Sequence, residues 1–141
     1  MKKVILAAAV CFIAIAGSVK PLFSNEKAVK STKYELLEAK YKACIDACNE
    51  CAASCKSCET ACSKGKDEKM AQCVKLCKEC AAACTASSTL MTLNSDNAKE
   101  MCAVCANICD KCAVECGKFT SDHCKKCAAD CVKAAKLCRE M

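Results

Sequence analysis

The chain is poor in the residues most catalytic and recognition sites use. Its 141 residues include one histidine, one proline, three glycines, no tryptophan and only 4% aromatics. The lone His123 leaves little for acid–base catalysis, and no Ser-His-Asp set or paired acid constellation is present. The few glycines build neither a phosphate loop nor a dinucleotide fingerprint. The formal charge is a modest +6, spread as lysines along the chain with few aromatics between them. Such a pattern describes a solvated surface and excludes a nucleic-acid partner. The reading is of a protein that is not an enzyme.

The N-terminus has the form of a secretory signal peptide over residues 1–16. Lys2 and Lys3 precede an apolar stretch over residues 4–16, and Ala14-Ile15-Ala16 supplies a small-x-small cleavage pattern. That stretch falls short of the about 20 residues a bilayer crossing needs, so no membrane association is expected after cleavage; a retained anchor is the competing reading. Cleavage removes Cys11 and two lysines with no acidic residue, which lowers the formal charge from +6 to +4. The expected destination is outside the cytoplasm, in the periplasm. Residues 17–30, with Pro21, Ser24 and Asn25, read as a flexible lead-in to a single cysteine-rich domain over 31–141.

Cysteine is what the chain has in abundance. Nineteen of its twenty cysteines fall into four runs: Cys44-Cys48-Cys51-Cys55-Cys58-Cys62, Cys73-Cys77-Cys80-Cys84, Cys102-Cys105-Cys109-Cys112-Cys116 and Cys124-Cys127-Cys131-Cys138. Steps of three and four, with one gap of a full heptad, have the period of a core stripe on a packed helix. Four helices follow. The first begins at the capping box Thr32-Lys33-Tyr34-Glu35 and carries Tyr34, Leu37 and Tyr41 on the line of the first run, ending at Gly65 in a left-handed conformation. The second spans about 67–93, with Met70, Ser87 and Met91 on its line, and breaks at Asn94 and Ser95. The third runs from Ala98 to Gly117. The fourth is capped by Thr120 or Ser121 and has Ala134 in the heptad gap. Short connections make neighbours antiparallel, which predicts an all-α, up-down-up-down four-helix bundle with a cysteine-lined core.

Three chemistries compete for that core. Thiols as plain hydrophobic filler are possible, yet leucine or valine would bury more surface. A disulfide framework suits an exported, structural or redox-buffering envelope protein. Against it, nineteen is odd, and neighbours on one helix have Cβ atoms about 5–6 Å apart where a disulfide wants about 3.5–4.5 Å. The third chemistry is a multinuclear metal store. Zinc in four-thiolate sites carries two uncompensated negative charges per site, which is costly where no lysine or arginine lies on the core lines; a zinc or mixed-metal detoxification protein stays an alternative. Cu(I) is monovalent and thiophilic. Bridging thiolates hold about one ion per sulfur, which leaves a loaded core close to neutral. Iron–sulfur clusters fit less well, because their cysteines come from looped segments.

Four cysteine-lined helices with C-x3-C-x2-C-x3-C repeats behind an export signal resemble the bacterial copper storage proteins. The resemblance covers essentially the whole chain after the leader. It implies storage of multiple Cu(I) ions per chain in a four-helix bundle, a homo-oligomer (a tetramer), copper donor or acceptor proteins as partners, and a ligand role for every cysteine from Cys44 to Cys138. Exported members often carry a twin-arginine leader. Lys2-Lys3 here implies instead a general secretory route, with metal loaded after export.

Antiparallel topology sorts the remaining soft ligands into two mouths. One gathers Cys62, Met70, Cys73, Cys116, Phe119, His123 and Cys124; the other gathers Tyr34, Leu37, Tyr41, Leu90, Met91, Met101 and Leu137 and reads as plugged. An imidazole beside thiols and a thioether makes the first mouth the expected loading site, with His123 and Met70 as metal ligands. The plainer alternatives are a surface histidine and a methionine that fills space.

Overall fold

The computed structural model describes residues 24–65 and 67–141, with side chains described from residue 35 onward apart from Leu37 and Lys66. The leader with Cys11, Pro21, and the side chains of Tyr34 and Leu37 lie outside the described residues. Four helices account for the fold: α1 over Ser24–Lys64, α2 over Ala71–Thr92, α3 over Ala98–Cys116 and α4 over Asp122–Arg139. A single 3-10 turn, Glu68–Met70, leads into α2. Helices α1 and α3 each pack on both α2 and α4, so the four close into a ring around one core.

The ends of the helices show where local signals hold and where they give way. Among the described residues, helix α1 already runs from Ser24, eight residues before the capping box at Thr32. The Thr32–Glu35 pattern therefore lies inside a continuing helix, because a cap signal acts only if the preceding residues leave the helix. At 41 residues and about 1.5 Å per residue the helix is roughly 60 Å long, longer than expected. Gly65 ends it without a positive φ; among the described residues only Asn94 has one, at 49°. Asn94 closes α2 in a Schellman motif, with Ser95 N donating to Leu90 O at 3.0 Å and Asn94 N to Met91 O at 3.1 Å. Asp67 caps the 3-10 turn by accepting from Lys69 N at 3.0 Å. Ser121 is the N-cap of α4, with extended backbone and no side-chain cap bond.

The core is built of sulfur and methyl groups. All nineteen cysteines of the four runs are buried, joined mainly by alanines: Ala47, Ala52, Ala81, Ala83, Ala98, Ala106, Ala134 and Ala135. Leu76 and Met91 are the large side chains among them. A cysteine buries less apolar area than leucine, so this core draws less on the hydrophobic effect than its helix lengths would allow. Charge stays outside, in exposed pairs such as Lys133 with Glu50 at 2.7 Å and Lys78 with Glu59 at 3.6 Å, and in Arg139 with Asp110. Among the described residues, the buried polar side chains are serines: Ser54, Ser87 and Ser88. No described helix is long and apolar enough to cross a membrane.

Candidate metal centre

The thiols form a continuous column along the bundle axis. Between α2 and α3 they meet in an antiparallel ladder: Cys73 with Cys116 at 3.4 Å, Cys77 with Cys112 at 3.9 Å, Cys80 with Cys109 at 3.5 Å and Cys84 with Cys105 at 3.6 Å between Sγ atoms. Each step of three or four forward on α2 is matched by the same step back on α3. Helices α1 and α4 make a second ladder: Cys44 with Cys138 at 3.7 Å, Cys51 with Cys131 at 3.5 Å, Cys55 with Cys127 at 3.6 Å and Cys58 with Cys124 at 3.6 Å. Cross-contacts join the two, as in Cys51 with Cys80 at 3.8 Å and Cys77 with Cys127 at 3.8 Å.

Within one helix, i,i+4 pairs such as Cys51–Cys55 at 4.0 Å, Cys105–Cys109 at 3.8 Å and Cys112–Cys116 at 3.9 Å are about as far apart as these cross-helix pairs. The sequence spacing favours clasps on a single helix; the fold makes bridges across helices equally available. All nineteen cysteines are free, and even the 3.4 Å pair is far from the about 2.05 Å of a disulfide bond.

Several sets of four thiols have their Sγ atoms all within 4.8 Å of one another, including Cys51-Cys55-Cys80-Cys131, Cys55-Cys77-Cys112-Cys127 and Cys58-Cys62-Cys73-Cys124. The sets share members, so the column is a chain of overlapping ligand groups. Bridging thiolates suit that arrangement. Cys48 joins at 3.6 Å from Cys138, and Cys102 is fully buried with Cys44 and Cys138 among its neighbours. Each sequence-derived cysteine therefore takes its place in the column.

The thiols divide by their surroundings: hydrogen bonds from neighbouring thiols hold some below the ordinary range, Cys44 at about 4 through Cys138 and Cys80 at about 7 through Cys109, while others are held neutral. Burial is the first cause lifting Cys58 and Cys73 above the ordinary thiol range, and it lifts Cys62 to about 12 and Cys102 to about 11. Any metal that binds as thiolate must displace those protons, so loading releases acid and is favoured by rising pH.

The two ends differ. His123 Nε2 lies 3.6 Å from Cys62 Sγ and 3.1 Å from Ser121 Oγ. The Ser121 hydroxyl, placed at the N-cap, turns to the imidazole instead of a helix N–H. Sequence reasoning missed this contact, because cap propensity does not say which partner the hydroxyl takes. His123 also lines a cleft of about 200 Å³ with Ala53, Ser54, Ser57 and Lys126. Met70 and Phe119 are half-buried against the core at the same end, which agrees with the mouth expected from topology. At the far end Met91 is buried, while Tyr41, Leu90, Met101 and Leu137 pack against the core. Ser87, on the thiol line of α2, donates to Met101 O at 3.3 Å and offers no sulfur.

Comparison with known proteins matches this geometry. Similar solved structures include a Cu(I)-bound copper storage protein, BsCsp3, 40% identical with a TM-score of 0.70, over 72% of this chain and 97% of that one. The apo form of copper storage protein 3 from Bacillus subtilis gives 40% identity and a TM-score of 0.66, over 70% and 95% of the two chains. A protein from Nitrosospira multiformis gives 32% and 0.68, over 73% and 94%. A curated relative, an uncharacterized cysteine-rich protein of Bacillus subtilis, is 45% identical over 51 residues, 36% of this chain, and the match spans about half (47%) of that relative's length. The profile described as copper storage protein matches residues 37–141, all four cysteine runs included. The chain belongs to the copper storage protein family.

Proposed function

We propose that this chain is a non-enzymatic store for Cu(I), holding many ions per chain through Cys44 to Cys138 inside the bundle. The observation that carries this reading is the unbroken column of nineteen buried thiols with no charged side chain among the buried described residues. Monovalent ions at about one per thiolate leave such a core near neutral, whereas a divalent ion in every four-thiolate group would accumulate negative charge. The Cu(I)-bound relative of 40% identity supports the choice of metal.

Loading runs from the His123 end. His123, Met70 and Cys124 receive the ion and pass it to Cys62, Cys58 and the sulfurs beyond. The signal-like residues 1–16 support export to the periplasm, where copper donor and acceptor proteins would meet the chain. Exposed apolar side chains on the outside of the bundle, Leu93, Val104, Val114 and Val132, support assembly into a homo-oligomer, a tetramer as the family resemblance implies.

The test is anaerobic titration of the reduced protein with Cu(I) against a competing chelator, followed by a free-thiol count. Copper should mask nearly all nineteen thiols. A protein isolated with its thiols paired as disulfides and indifferent to Cu(I) after reduction would favour a redox-buffering role instead.

A further inference from the structure

One four-thiol group differs from the rest in what surrounds it. Cys58, Cys62, Cys73 and Cys124 sit at the His123 end, where the ends of α1, α2 and α4 meet. Their Sγ separations are 3.8 Å for Cys58–Cys62, 3.9 Å for Cys58–Cys73, 3.6 Å for Cys58–Cys124 and 3.8 Å for Cys62–Cys124. A tetrahedron of sulfurs around a zinc-class ion, with metal–sulfur bonds of about 2.3 Å, has edges of about 3.8 Å. Four of the six edges already match such a tetrahedron, and the remaining two, Cys62–Cys73 and Cys73–Cys124, lie within 4.8 Å.

Geometry alone would nominate the deeper groups too; charge separates them. A divalent ion with four thiolates keeps two negative charges, and a buried site bears that only with hydrogen-bond donors or solvent close by. In the deeper groups the neighbours are other thiols and alanines. At the end group, His123 Nε2 lies 3.6 Å from Cys62 Sγ and 3.1 Å from Ser121 Oγ, so in the tautomer protonated at Nε2 the N–H is shared between that sulfur and the hydroxyl. A cleft lined by Ser54, Ser57 and Lys126 borders the part-exposed His123 side chain, so this group, unlike the deeper ones, lies next to a solvent-accessible imidazole.

We infer that Cys58, Cys62, Cys73 and Cys124 form one discrete tetrahedral site for a divalent thiophilic ion of the Zn(II) or Co(II) class, with His123 as its positioning residue. Binding exchanges four thiol protons for the ion and involves no electron transfer. The site rests on the same reduced thiols as the Cu(I) reading, but not on Cu(I) binding itself. A divalent ion seated there occupies the thiols that loading from this mouth reaches first.

Co(II) reports both number and geometry. Titrated anaerobically into the reduced full chain, it should give the intense visible bands of tetrahedral thiolate coordination, saturating at one ion per chain, and Zn(II) should bleach them one for one. The double variant Cys62→Ser/Cys124→Ser should lose the bands while circular dichroism shows the bundle retained. His123→Ala should keep the band shape but weaken Co(II) affinity by about tenfold, the scale of a lost ligand-orienting group. Absence of a tight tetrahedral ion in the wild-type protein would overturn the inference, as would two or more, or one that survives in the folded double variant. A parallel Cu(I) titration keeps the two readings apart, because Cu(I) capacity does not depend on this result.

Discussion

The two ends of the bundle are made from the same repeat and are finished by different side chains. At the His123 end the thiol column runs out to an imidazole 3.6 Å from Cys62 and to a half-buried Met70. At the far end, the line of α2 changes from Cys84 to Ser87 and Met91. Ser87 spends its hydroxyl on a backbone carbonyl, and Met91 fills the space that a further thiol would have left. The lesson is that a uniform core gains a direction from a few substitutions at its ends. On the proposed reading, polarity near soft ligands is the door, and a satisfied hydroxyl and a packed thioether are the wall.

Breaking the wall should cost most. Met91→Ala removes a fully buried side chain and should destabilise the apoprotein by about 2–5 kcal/mol. Met70→Ala, at the half-buried end, should cost about 1 kcal/mol or less. Thermal unfolding of the two reduced variants checks the difference; equal losses would erase the asymmetry of packing.

Breaking the door should act on rate. Together, His123→Ala and Met70→Ala should slow uptake from a Cu(I) chelator by about tenfold and leave final capacity nearly unchanged, because the interior thiols remain. Stopped-flow uptake at the wild-type rate would return both residues to surface and packing roles. Faster uptake after Tyr41→Ala would mean that copper enters at the other end.

The smallest effect concerns protons. Cys62 at one end and Cys102 at the other are pushed up by burial, to about 12 and about 11. Thiols of the unfolded chain ionise near about 8.5. Between those values the unfolded state binds fewer protons than the native one, so stability falls as pH rises, by about 1.4 kcal/mol per unit for each such thiol. The share of these two thiols in the melting temperature of the reduced apoprotein should be flat from about pH 7 to 8 and should decline from about pH 9 upward, while thiols held low by their neighbours, such as Cys44 and Cys80, act in the opposite sense at lower pH. Serine at Cys62 should relieve slightly more of that decline than serine at Cys102. An alkaline decline left unchanged by both serine variants would contradict burial of these two thiols as its cause.

Much of this molecule is legible from its cysteine spacing. A period near 3.5, kept through four runs, fixes four helices and tells which face of each turns inward, because no other secondary structure puts those residues on one side. The heptad gap in α4 correctly marks Ala134 as core. Local signals fare less well. The capping box at Thr32 is overrun by a helix from Ser24, and the left-handed residue is Asn94, not Gly65. Each of those signals is worth only about 1 kcal/mol, small beside the packing and neighbouring propensities that decide a helix end. The mouth containing Cys62, His123 and Cys124 follows from topology. The four-thiol groups do not, because they depend on how far each helix is rotated about its own axis, which spacing within one helix leaves free. The Ser121–His123 contact is hidden for a similar reason: one hydroxyl has two possible partners, and only the fold chooses.

The central claim is that the column works as one bridged store and not as separate sites. Anaerobic Cu(I) titration of the reduced chain, read by bound metal per protein, tests it directly. Thiolates shared between ions of low coordination number predict saturation at about 15–20 Cu(I) per chain. Saturation at about four or five ions would indicate isolated four-thiolate sites and contradict the account.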